Sequence, residues 1–177
     1  MRFYSVMFDD APELKRGVRC AEVGLAMQWS KLNSRIKDLI SPEFRERIDF
    51  HVTSYRKSHD GADKVWIVID GVRIFSCNYY HSERATAVAF YSGLRGEQIK
   101  SHLSEREIHT PRDFGEAMRL YLDMPIADAL SSSNPLVKAF AIVDRRVGKR
   151  AIARLEITDS EHTLIKAFYK LRSTMHI

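Results

Sequence analysis

Val65-Trp66-Ile67-Val68-Ile69-Asp70-Gly71-Val72-Arg73-Ile74-Phe75 reads as two strands meeting at a tight turn. β-Branched and aromatic residues fill both flanks. Asp-Gly between apolar runs suits a two-residue type I′ turn, whose backbone twist matches that of the strands it joins. A hairpin here predicts a positive φ at Gly71 and makes β-structure the organising element of the N-terminal half.

Upstream, Ile48, Phe50 and Val52 alternate with Asp49, His51 and Thr53, the period of a half-buried strand. Ser58, His59, Asp60 and Gly61 read as a loop between this strand and the hairpin. Further back, Val18, Leu25, Trp29, Leu32, Ile36 and Leu39 recur at three- and four-residue steps, which predicts an amphipathic helix ending near Ser41 and Pro42, with Gly24 a weak point inside it. Residues Arg2 to Phe8 predict a short first strand before the breaker Asp9, Asp10, Ala11, Pro12. The expected fold class is α+β: a small antiparallel sheet of about four strands, hairpin included, packed on the long helix and followed by a helical C-terminal half. The expected organisation is a single domain over 1–177, with 1–80 mainly sheet plus long helix and 81–177 helical.

Downstream of the hairpin, Ser82 is the expected N-cap of a helix carrying Val88, Ala89 and Phe90 and closing at Gly93 and Gly96. Thr110 and Pro111 open another helix with Phe114, Met118, Tyr121 and Leu122, and Pro125 restarts it before Leu130. Then Leu136-Val137-Lys138-Ala139-Phe140 recurs as Leu164-Ile165-Lys166-Ala167-Phe168, 28 residues on. Asn134 is a cap followed by Pro135 at the first helical position, and Thr158 with Glu161 reads as a capping box. Two related helices are therefore predicted over 134–147 and 159–172, with Gly148 as a left-handed residue closing the first. Phe140 and Phe168 fall on their apolar stripes, like Trp29 and Trp66 on theirs, and are read as structural. Two copies do not make a solenoid.

The segments Asn134 to Arg150 and Leu164 to Arg172, about a quarter of the chain, resemble the C-terminal portion of uncharacterised bacterial proteins met on plasmids and integrated elements. The resemblance brings no activity with it. It implies only a bacterial, cytoplasmic protein.

The chain carries a net charge of +5, and nine basic against four acidic side chains from Asn134 onward account for all of that excess. Its densest part is Arg145, Arg146, Lys149, Arg150 and Arg154, beside Asp144. Such a cluster either grips a polyanion, nucleic acid above all, or simply solvates a helix end. The composition is 45% hydrophobic and 10% aromatic, which is globular rather than disordered. The sequence has no apolar run of bilayer length and no apolar leader, so a cytoplasmic protein without a membrane partner is expected.

Cys20 and Cys77 stand far apart and read as buried free thiols. The seven histidines show no compact ligand spacing, so neither a metal nor a cofactor is expected. His59, Asp60 and Asp63 read as an ordinary turn, and Asp9 with Asp10 as a solvated loop. The most site-like patch is Tyr80, His81 and Arg84, where a strand hands over to a helix and His81 is placed to act as acid or base. Gly-x-Ser-x-Gly, a phosphate-binding loop and a dinucleotide fingerprint are all missing from the sequence. The expectation is a non-enzymatic interaction or regulatory protein with a protein partner. A nucleic-acid binder using the basic cluster and an enzyme built around Tyr80, His81 and Arg84 are the competing readings.

Overall fold

The computed structural model describes residues 19–53 and 64–174, with side chains from residue 29 onward. The expected first strand at Arg2 to Phe8, the Asp9–Asp10 pair, the Ser58 to Gly61 loop with Asp63, and the side chains of Val18, Cys20 and Leu25 lie outside the described residues.

The chain is α+β. The long helix α1 (Arg19–Leu39) and the short α2 (Pro42–Arg45) precede three strands, β1 (Ile48–Thr53), β2 (Lys64–Ile69) and β3 (Val72–Asn78). The strands pair antiparallel in the order β1-β2-β3. Ile69 faces Val72 across the turn, where Asp70 and Gly71 have φ of 50° and 80°, as a primed two-residue turn requires. Arg47 clamps that turn, its guanidinium bonding both carboxylate oxygens of Asp70 at 2.8 and 2.6 Å. The pairing shifts between Ile67 and Val68, leaving Ile74 as a bulge in β3.

The sheet has two unlike faces. Phe50, Val65, Ile67, Phe75 and Cys77 are buried on the inner one. On the outer face Trp66 stacks on its cross-strand partner His51 at 5.1 Å, and the guanidinium of Arg73 sits 5.1 Å from the indole. Trp66 is thus structural, but as a surface stack rather than a core residue.

The helices that follow are α3 (Tyr79–Tyr91), α4 (Glu97–Glu105), α5 (Pro111–Asp123), α6 (Ile126–Leu130), α7 (Pro135–Ile142), α8 (Lys149–Ala153) and α9 (Thr163–Ser173). The expected start of α5 is met in full: Thr110 accepts from the N–H of Asp113, and Asp113 accepts from the N–H of Thr110. Asn134 caps α7 by accepting from Leu136 and Val137. Pro125 ends one helix and starts the next, as its missing donor dictates.

The inner face of the sheet meets α5, α7 and α9, and α1 packs on α5. Phe140 of α7 packs against Phe50 of β1, Phe114 and Tyr121 of α5, with ring centroids 6.0, 5.6 and 5.7 Å apart. Phe114 continues the ladder to Phe75 of β3 and Trp29 of α1. Phe140 and Phe168 are 1% and 0% exposed, so both repeats do supply core.

Three expected helix ends are corrected. Asn78, not Ser82, caps α3, accepting from the N–H of His81 at 2.7 Å; Ser82 lies inside the first turn, buried, and donates back to the Tyr79 carbonyl. The first repeat helix stops at Ile142, well short of 147, and Gly148 has φ −76° rather than a left-handed value. The reason is tertiary: residues 143–145 turn aside to pair with 39–41, with Arg145 N–H donating to the Leu39 carbonyl and Ser41 N–H to the Val143 carbonyl. The second repeat helix begins at Thr163, not 159, because His162 is its cap, while the Thr158 carbonyl accepts a turn bond from the Glu161 N–H and its hydroxyl pairs with that of Ser160. None of the described helices is long and apolar enough to cross a membrane.

Candidate functional site

The exposed surface is unevenly furnished. Five of the seven large apolar side chains exposed among the described residues fall on α3: Tyr79, Tyr80, Val88, Phe90 and Tyr91. This helix leaves the sheet directly from β3 and pairs with α4 as a helical hairpin. The hairpin contributes little to the core. Only Ser82 and Ala89 are buried on α3, and no residue on α4. The turn between the helices uses Gly93 at φ 95°, and Arg95 folds back so that its guanidinium lies 4.0 Å from the Phe90 ring and donates to the Phe90 and Leu94 carbonyls.

Tyr80, His81 and Arg84 therefore stand on an exposed face, with Tyr80 at 66% exposure. His81 commits its backbone N–H to the Asn78 cap.

The basic cluster divides. Asp144 is fully buried and takes Arg146 in a tight clamp: the guanidinium reaches it at 2.6 to 3.1 Å and the Arg146 N–H at 2.7 Å. The Tyr121 hydroxyl donates to the same carboxylate. This pairing holds Arg146 above the usual arginine range, and burial together with Asp144 raises the Tyr121 phenol. Arg146 is withdrawn from the candidate polyanion surface for that reason. Arg145, Lys149, Arg150 and Arg154 are exposed, with no side-chain ion pair to the described residues.

Behind the clamp lies Arg172 of α9, only 5% exposed. It donates to the carbonyls of Ile142 and Asp144 at 2.8 Å and to that of Val147. Ile142 ends α7, and Asp144 and Val147 lie in the turn that follows, where the Asp144 carbonyl also accepts the Val147 N–H, so the second repeat helix ties down the end of the first. Lys138 and Glu161 add a half-buried ion pair of 2.6 Å between the repeats.

A second polar cluster was not legible in the sequence. His109 and His162, 53 positions apart, meet with Nε2 atoms 3.0 Å apart beside the Phe75 ring. The N–H of Leu164 donates to His162 Nδ1 at 3.0 Å, so that nitrogen bears a lone pair and the proton of the neutral ring is on Nε2, donated to His109. A metal-binding histidine has the opposite arrangement, giving its second N–H to an acceptor. Among the described residues no group of three His, Cys, Asp or Glu is placed to hold a metal.

Burial lowers His109, and lowers His162 to about 4, with Glu107 opposing and His109 reinforcing the latter shift. Glu107 accepts the Thr163 N–H at 2.6 Å; burial pushes its carboxyl up, but the Thr163 bonds and neighbouring cations hold it below its ordinary value. Cys77 is buried and pushed up to about 12, mainly by desolvation, which leaves it an unreactive thiol.

The pair has a consequence for acid stability. Each histidine binds its extra proton more weakly folded than unfolded, so its contribution is complete above the unfolded pKa near 6.5 and is lost as pH falls below it, for His162 toward about 4. The urea midpoint is expected to drop between pH 7 and pH 4.5 by an amount worth on the order of 2 kcal/mol. In His162→Asn the amide oxygen keeps the cap but nothing titrates, and that part of the slope should vanish; an unchanged slope would refute this role.

Fold and surface together define an α+β protein with a packed helical body and a projecting, aromatic-bearing helical hairpin. The chain belongs to the SF0329 protein family, whose model matches residues 28–173. No curated protein and no solved structure matches it.

Proposed function

We propose that this chain is a non-enzymatic interaction protein that engages a protein partner through the outward face of α3. The observation that carries this reading is the concentration of exposed aromatic and aliphatic side chains on a helix that gives almost nothing to the core. Clustered apolar surface rimmed by charge marks recognition sites, whereas single exposed residues do not. Tyrosine suits the role, since it offers a large rigid surface at low entropic cost. The three residues first weighed as catalytic, Tyr80, His81 and Arg84, become part of this surface. A bacterial cytoplasmic setting, of the kind found for proteins carried on plasmids and integrated elements, fits the resemblance of the two C-terminal helices and the free thiol of Cys77.

A second reading rests on Arg145, Lys149, Arg150 and Arg154, four exposed cations without acidic partners among the described residues, which suit a phosphate backbone. One experiment separates the two. A photo-crosslinking residue is placed at position 88 or at position 150, and adducts are collected from bacterial cells. Protein adducts at 88 that disappear with Tyr80→Ser and Tyr91→Ser support the interaction surface. Nucleic-acid adducts at 150, with none at 88, favour the polyanion reading and overturn the first.

A further inference from the structure

We propose that the partner of the α3 surface is a second copy of this chain, joined through α3 as an antiparallel, twofold-symmetric helix pair. The inference rests on the interaction reading above and adds the identity of the occupant. Ser82 and Ala89, two turns apart, mark the buried side of α3. Diametrically opposite run Tyr80, Arg84, Ala87 and Tyr91, all exposed, with Tyr80 at 66% and Tyr91 at 84%. Their spacings of four, three and four residues are those of a coiled-coil seam.

The seam is also a palindrome. Its midpoint falls between Ala85 and Thr86, so a twofold axis there sets Tyr80 against the partner's Tyr91 and Arg84 against the partner's Ala87. The long side chain thus meets the small one, and the aromatic rings close both ends. Charge agrees with the same register. Glu83 adjoins Arg84 at the seam's edge, and reversing the helix brings each Arg84 within reach of the other copy's Glu83, giving two reciprocal ion pairs.

Area sets the strength. Tyr80 and Tyr91 are 66% and 84% exposed, so of the roughly 150–250 Å² that each aromatic ring can bury, the four tyrosines have about 450–750 Å² in all left to cover, short of the ~1,000 Å² of a tight specific interface. Val88, at 54% exposure, adds to it from both copies. An interface of this size predicts a micromolar, concentration-dependent dimer rather than an obligate one.

The test is sedimentation velocity of the full chain across the micromolar range, at low and moderate salt. The wild type is expected to pass from monomer to dimer mass, and Tyr80→Ser with Tyr91→Ser is expected to weaken association by about tenfold or more. Glu83→Arg alone and Arg84→Glu alone should weaken it, while the two together restore it, because the reciprocal pairs re-form with their signs exchanged. Matching circular dichroism and urea midpoints keep misfolding out of the comparison, since all of these positions are exposed. A wild type that stays monomeric, a dimer indifferent to the tyrosines, or a double reversal that fails to rescue overturns the proposal. If the wild type is monomeric yet position 88 still crosslinks another protein, only self-pairing fails; if it is monomeric and position 88 crosslinks nothing, the interaction reading fails with it.

Discussion

Arg172→Met is expected to destabilise the protein by about 3–5 kcal/mol, because it removes three hydrogen bonds from a charged donor to neutral carbonyls, worth about 1.5–3 kcal/mol each, offset in part by the desolvation the guanidinium no longer suffers. The methionine fills a similar volume, so little of the loss is cavity. What is lost is a fork of donors. Helix α7 stops at Ile142 because the chain is drawn away to pair with residues 39–41, and its last carbonyls find no intrahelical N–H. Arg172 supplies donors to the carbonyls of Ile142, Asp144 and Val147 and places its guanidinium 5.9 Å from the Phe44 ring. The Ile142 and Val147 carbonyls left dry cost about 1–3 kcal/mol each, softened where the site relaxes toward solvent, whereas the Asp144 carbonyl keeps the Val147 N–H. Arg172→Lys keeps the charge but cannot span three acceptors in a plane, and should recover only part of the loss. Urea titration with an unchanged slope measures both. A midpoint shift worth less than about 1 kcal/mol for Arg172→Met would mean that α7 ends there for some other reason.

Phe140→Ala and Phe168→Ala are each expected to cost about 3–5 kcal/mol, with Phe140 at the upper end. Phe140 is the ring where β1, α5 and α7 converge, touching Phe50, Phe114 and Tyr121, so its removal opens a cavity between elements held from three directions. The wall cannot collapse from one side without disturbing the Tyr121 hydroxyl on Asp144. Phe168 is equally buried but lies in the packing of α9 on α7 and β3. Lys166→Ala is the matched control in the repeat. Its ammonium reaches only the exposed Asp159 carbonyl, and a change within about 0.5 kcal/mol is expected. Equal losses at Lys166 and Phe168 would remove the core assignment of the repeat.

The order of the elements could be read from the chain because it depends on short-range rules. Asp70-Gly71 can scarcely do anything but turn, Thr110-Pro111 can only begin a helix, and the alternation through Ile48 to Thr53 has one buried face. The burial of both repeat phenylalanines followed from the stripe on which they stand. Helix ends were less legible, since a cap is chosen by competition among neighbours. Thr158 offered the preferred chemistry, but His162, held by His109 from across the fold, captured the Leu164 N–H instead, while Glu107 took that of Thr163.

By itself, then, the sequence determined the class of fold, the hairpin turn, and the core positions of the two repeat phenylalanines, because propensity and hydrophobic period act within a few residues. Only the tertiary structure decided the polar chemistry. Asp144 binds Arg146 nearby but also Tyr121, 23 positions away, and lies under the cap that Arg172 provides from 28 positions away. Which cations are consumed and which stay open to solvent depends on those distant partners. The exposure of Tyr80, Val88 and Tyr91 was settled in the same way. An apolar stripe on a helix states that something must cover it, and only the packing of every other element shows that nothing among the described residues does.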